Sequence, residues 1–129
     1  MKFLLDTHAF IWFIQGDERL PGNIQELIAS EKNDVFISIA TFWELAIKIS
    51  LGKLELSEPL EKVYNQALSE GFKILPIEHE SIFRLMVLPM HHRDPFDRII
   101  ICTALVKSLN MVSADKYFKR YESLDLIWA

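Results

Sequence analysis

The chain has 129 residues, half of them hydrophobic and a quarter charged, which suits a globular domain and excludes a disordered or fibrous one. Fourteen Lys and Arg against eighteen Asp and Glu leave a net charge of -4, which excludes a broad basic surface for nucleic acid. It leaves open an enzyme whose acids are neutralised by metal. The one cysteine, Cys102, excludes a disulfide framework and fits a reducing cytoplasm. Met1 to Leu5 is too short for a signal-peptide core, and no stretch approaches a membrane span. The expectation is one cytoplasmic domain over residues 1–129.

Lys2 to Leu5 reads as a strand ending at Asp6-Thr7-His8, and Ala9 to Ile14 as a buried helix stopped by Gly16. After the Leu20-Pro21-Gly22 turn, Asn23 is placed to cap a second helix through Ile28. Val35 to Ile39, β-branched and aromatic, is a second strand. Thr41 starts a third helix, closed by Gly52. Ser57 caps a fourth, with Pro59 in its first turn and Gly71 at its end. Phe72 to Leu75 is a third strand and Glu80 to Leu88 a fifth helix.

The most informative stretch is His91 to Ala104. Asp94 reads as an N-cap, Pro95 as the first helical residue and Asp97 as the third, where free amides make the helix end positive. Behind them Ile99, Ile100, Ile101, Ala104, Leu105 and Val106 are apolar almost all round, so this sixth helix is expected to be buried. Asn110 ends it. Met111 to Ser113 is a short strand, Lys116 to Tyr121 a helical turn or two, and Leu126 to Trp128 an edge strand.

Strands alternating with helices imply an α/β fold, a parallel sheet with helices on both faces and right-handed crossovers. Ligands in such sheets sit beyond the carboxyl ends of the strands, near the switch in strand order. Asp6 follows the first strand, Glu44 lies early in the helix after the second, Asp97 opens the helix that feeds the fourth, and Asp115 follows that strand. Four carboxylates on one edge repel each other by several kcal/mol in a partly dry site. Hard divalent cations, Mg²⁺ or Mn²⁺, are the natural occupants, and a set without His or Cys argues against zinc. The chemistry suited to such a cluster is phosphodiester hydrolysis by a metal-activated water.

Each acid also has a structural reading. Asp6, Asp94, Asp97 and Asp115 all stand where helix caps stand. Glu44 and Lys48 are spaced for an i,i+4 salt bridge, although apolar neighbours favour partial burial of the glutamate. His8, His91 and His92 read as surface or internally satisfied histidines, and Cys102 as packing.

Leu4-Leu5-Asp6-Thr7-His8, Trp43-Glu44-Leu45-Ala46-Ile47-Lys48 with Gly52-Lys53-Leu54, His92-Arg93-Asp94-Pro95-Phe96-Asp97-Arg98, and Ser113-Ala114-Asp115 resemble the motifs of PIN-domain ribonucleases. The similarity is nearest to VapC-type toxins of bacterial toxin–antitoxin pairs and spans essentially the whole chain. The resemblance implies a PIN-like three-layer fold with a five-stranded parallel sheet. It implies a Mg²⁺- or Mn²⁺-dependent endoribonuclease acting on RNA, with a cognate antitoxin and homodimerisation. Asp6, Glu44, Asp97 and Asp115 match the family's acidic quartet, with Asp6, Asp97 and Asp115 as metal ligands. Thr7 and Ser113 match supporting positions, and Asp94 is an extra acid of the subgroup. A basic antitoxin tail is expected over the acids, near Trp12, Phe42 and Trp43.

Two other classes stand beside this one. A non-catalytic PIN-like module would bind RNA or protein without cutting. A receiver-type signalling domain would carry paired acids after the first strand and a Lys after the last, and this chain has neither.

Overall fold

The computed structural model describes residues 1–128. Five strands form one parallel sheet: β1 (Lys2–Leu5), β2 (Asp34–Ser38), β3 (Lys73–Leu75), β4 (Asn110–Val112) and β5 (Leu126–Ile127), in the order β3-β2-β1-β4-β5. Six α-helices and a 3-10 helix join them: α1 (Thr7–Gln15), α2 (Gly22–Ala29), α3 (Ile39–Ser50), α4 (Leu60–Ser69), α5 (His79–Leu85), α6 (Pro95–Lys107) and the 3-10 helix Lys116–Arg120. The α/β expectation and the five-stranded parallel sheet hold.

β1 is central and buried on both faces, so its side chains feed two cores. Phe3 and Leu5 pack with Val35, Ile37 and Val112 against α1, α2, α4 and part of α3. Leu4 points the other way and packs with Met111 against α6 and Phe118. This alternation makes three layers, helix–sheet–helix. In α6, Ile99 through Ala104 are all buried, as an apolar-all-round helix requires. Truncating one of them, such as Ile100, would cost about 2–5 kcal/mol.

Several boundaries differ from the sequence reading, each for a local reason. α3 begins at Ile39 rather than Thr41, because Ser38 Oγ accepts the Ala40 N–H and supplies an earlier cap. α2 and α4 start after Pro21 and Pro59, whose extended backbone sets the helix entry without a side-chain cap, so neither Asn23 nor Ser57 serves as one. α5 stops at Leu85. α6 ends at Lys107 with Ser108 left-handed at φ 54°, which frees Asn110 to open β4. Among the described residues, no helix is long and apolar enough to cross a membrane.

The chain leaves β1 toward β2 on one side and later returns to β4 on the other. The switch in strand order therefore lies between β1 and β4, with Asp6 at the end of one and Ser113 at the end of the other.

Candidate active site

At that seam Ser113 Oγ donates to Asp6 Oδ2 at 2.6 Å, and Asp6 Oδ1 accepts the Ala9 N–H at 2.8 Å. Asp6 is thus the N-cap of α1 and also a buried acid in the centre of the site. Ser113 Oγ in turn accepts the Asp115 N–H, and Asp115 Oδ1 caps the 3-10 helix through the Tyr117 N–H. The other Asp115 oxygen is left to face the site.

Thr7 and Glu44 meet from α1 and α3. Thr7 Oγ1 donates to Glu44 Oε1 at 2.7 Å, and Lys48 Nζ lies 2.8 Å from Oε2. The i,i+4 pair expected from sequence forms, but its glutamate is only 4% exposed. Glu44 is therefore a buried acid held by one hydroxyl and one ammonium.

At the mouth of α6, Asp94 Oδ1 accepts both the Phe96 and Asp97 N–H groups at 2.9 Å. Asp94 is a helix cap, and its bonds fix Asp97 one turn in. His92 completes the group. Its Nδ1 accepts the Asp94 N–H, so the ring proton resides on Nε2, which stands 2.9 Å from Asp115 Oδ2 and 3.1 Å from Asp97 Oδ2. His92, Asp97 and Asp115 offer donor atoms all within 4.8 Å of one another, compact enough for one ion.

His92 is an internally satisfied histidine, one of the two readings the sequence allows, but its partners are the acids themselves, so the cluster includes a nitrogen that the expected ligand set lacks. A carboxylate-rich set still suits a hard divalent cation, but the argument against zinc from an all-oxygen set no longer holds. The signal that was missed is tertiary. Arg98, buried and without a carboxylate partner among the described residues, donates to the carbonyls of Leu85, Leu88, Pro89 and His92. Tyr121 Oη donates to Pro89 O and accepts the His92 N–H, both at 2.9 Å. Together they clamp the loop that carries His92 onto α6.

Electrostatics follow from this crowding. Burial pushes the Asp97 carboxyl up to about 8, reinforced by repulsion from Asp94, Asp6, Glu44 and Asp115 in that order. Burial also pushes Asp6 up to about 6, against the Ser113 and Ala9 hydrogen bonds that favour its charged form. Five acids thus share one edge, and burial leaves two of them holding protons more tightly than free carboxyls. That donor set fits a divalent cation. Cys102 plays no part: burial pushes its thiol up to about 11, which leaves it inert.

The fold and its acidic carboxyl edge define an open parallel α/β domain with a carboxylate cluster at the switch point. A PIN domain family model matches residues 3–124, and the chain belongs to that family. Its solved structural relatives include VapBC2 from Rickettsia felis bound to a promoter DNA fragment, with TM-score 0.74, 22% identity and 98% of each chain covered. VapBC-1 from nontypeable Haemophilus influenzae matches with TM-score 0.68 and 20% identity over 99% of this chain and 98% of that one. FitAcB from Neisseria gonorrhoeae matches with TM-score 0.65 and 20% identity over 97% and 96%. No curated protein sequence matches the chain.

Proposed function

We propose that this chain is a Mg²⁺- or Mn²⁺-dependent endoribonuclease, a single PIN-like domain that serves in the cytoplasm as the toxin of a toxin–antitoxin pair. The observation that carries the reading is the convergence of Asp6, Glu44, Asp97 and Asp115 from separate elements on one carboxyl edge, where His92, Asp97 and Asp115 offer donor atoms within 4.8 Å of one another and the Asp97 carboxyl is raised first by burial and then by its acidic neighbours. Such an arrangement costs folding free energy, and it is the kind of strain that functional sites retain.

In this reading Asp6, Asp97 and Asp115 hold the ion, and Glu44 completes the catalytic acids. When bound, the metal would activate a water and stabilise charge on the phosphodiester oxygens. The chain's own residues do the rest. Ser113 keeps Asp6 charged and aimed into the site. Thr7 orients Glu44. Asp94 secures the first turn of α6 and hence Asp97. His92 Nε2–H holds the Asp97 and Asp115 carboxylates together.

The partner side of the reading is supported by the VapBC relatives and by exposed apolar surface. Trp43 on α3 is 58% exposed and Trp12 is partly buried, so both are open to an antitoxin tail. Phe42, near which the tail is also expected, is itself buried and packs against Phe10 and Tyr64. Homodimerisation is part of the same proposal.

The test is cleavage of an end-labelled RNA with Mn²⁺ and with EDTA, by the wild type and by Asp97→Asn. Cutting by the wild type with Mn²⁺ alone, leaving 5′-phosphate and 3′-hydroxyl ends, supports the reading. No cutting at all would return the chain to a non-catalytic binding role, and equal rates for both proteins would remove Asp97 from the catalytic acids.

A further inference from the structure

Beside the acid cluster lies a solvent-open cleft between the loop 90–94 and the 3-10 helix, with a volume of about 540 Å³. That is within the range of small-ligand sites, roughly 300–1,000 Å³. His92 is the shared wall: its ring reaches the acids through Nε2 and meets the Tyr117 ring edge-on, with centroids 5.6 Å apart. Whatever occupies the cleft is therefore next to the proposed reaction centre.

The charges on this cleft run against those of the chain as a whole. Arg93 and Arg120 line it, and Lys116 stands at its edge with Nζ 5.7 Å from the Tyr117 ring centroid. Among the described residues none of these three makes an ion pair. The one acid on the wall is Asp94, with an oxygen already taken by two backbone amides. Tyr117 is 39% exposed, and the Arg120 guanidinium lies 5.0 Å from its ring centroid. The Arg120 guanidinium lies over the phenol ring, so the pair forms a cationic stack of the kind on which unstacked nucleobases settle, and Arg93 on the same wall matches a phosphate.

We propose that this cleft binds a nucleotide of single-stranded RNA adjoining the scissile phosphate, with Tyr117 and Arg120 receiving the base and Arg93 and Lys116 contacting the backbone. The proposal rests on the ribonuclease reading for the identity of the strand, and its binding test is independent of cleavage. The chain's net charge of -4 repels RNA in general, so a local unpaired basic cleft decides where a strand lies.

The experiment measures binding of a fluorescent single-stranded 12-nucleotide RNA by anisotropy in EDTA, across a salt series. The proteins are wild type, Arg93→Ala, Arg120→Ala, Tyr117→Ala and, as a control on α4, Lys62→Ala. Thermal melts check that all are folded. Tyr117→Ala should weaken binding about fivefold or more, the lower end of base stacking on an aromatic ring. Arg93→Ala should reduce the salt slope by about 0.7, one phosphate contact on a single strand. In Mn²⁺ cleavage assays the loss should fall on KM more than on kcat. Wild type that binds RNA through these residues without cutting it would sustain the cleft and sink the nuclease reading. Wild type that cuts RNA while all three variants bind like the control would sink the cleft, leaving it to an acidic protein segment.

Discussion

Ser113 Oγ and Asp6 Oδ2, 107 residues apart in sequence, lie 2.6 Å apart across the seam between β1 and β4. That bond favours the charged form of an acid that burial otherwise drives toward neutrality. Ser113→Ala should therefore raise the Asp6 carboxyl above its value of about 6 and increase its protonated fraction at pH 7. The expected outcome is Mn²⁺ affinity lowered several-fold and stability lowered by about 1 kcal/mol, with Ser113→Thr restoring much of the affinity. A Mn²⁺ titration at pH 7 that gives the same affinity for Ser113→Ala and wild type would show that the bond does not tune the site.

The metal-free protein should lose stability as pH rises. Asp97 is raised to about 8 and Asp6 to about 6 in the folded state, from ordinary values of 3.8. The folded state then binds more protons than the unfolded one, so unfolding free energy falls between about pH 4 and pH 8. The contribution is fully present below pH 4 and lost as pH climbs through the folded-state values. Thermal melts in EDTA should show Tm decreasing across this window. Asp97→Asn should flatten the trend and raise Tm at pH 8 by a few degrees, about 1–2 kcal/mol. A Tm that rises through pH 4–8 in wild type, and no gain in the variant, would contradict the crowding.

Arg98 and Tyr121 should act as a clamp for His92. Tyr121→Phe removes one donor and one acceptor and leaves the His92 N–H unpaired, a loss of about 1–3 kcal/mol. Arg98→Lys cannot reproduce four carbonyl contacts from a planar fork and should cost at least as much. Both should broaden the His92 ring signals in NMR spectra. Variants that keep the wild-type Tm and sharp His92 signals would show that the loop is held by other contacts.

Saturating Mn²⁺ should stabilise wild type by about 2.7 kcal/mol at a hundredfold excess over its dissociation constant. Asp6→Asn still caps α1, because Asn serves as an N-cap about as well as Asp, but it should gain much less. A wild type whose melt ignores Mn²⁺, with a metal-free Asp6→Asn that melts lower, would make Asp6 a cap and nothing more.

The acids were legible because each follows a feature written locally. Asp6 and Asp115 come just after short apolar strands, Asp94 and Pro95 carry a helix-start pattern, and Glu44 sits in an apolar helix. Of the four acids that stand where caps stand, Asp6, Asp94 and Asp115 accept backbone N–H groups, whereas Asp97 lies inside the first turn and gives its own N–H to Asp94. His92 was not legible, because its placement depends on Arg98 and Tyr121, and nothing near residue 92 announces either contact. The starts of α2, α3 and α4 differ for a smaller reason: Pro21, Ser38 and Pro59 compete with Asn23, Thr41 and Ser57 for the helix entry, and the winner depends on how the chain leaves the preceding strand or turn.

The central claim is that the acids on the carboxyl edge form a divalent-cation site. The direct measurement is calorimetric titration of Mn²⁺ into wild type and Asp97→Asn at pH 6, 7 and 8. Binding must displace the proton that Asp97 holds up to about pH 8, so wild-type affinity should rise with pH, by up to roughly tenfold per unit, with proton release to the buffer. Asp97→Asn should bind at least tenfold more weakly at pH 8 and show little pH dependence. Mn²⁺ affinity that is the same in both proteins and independent of pH would contradict the account.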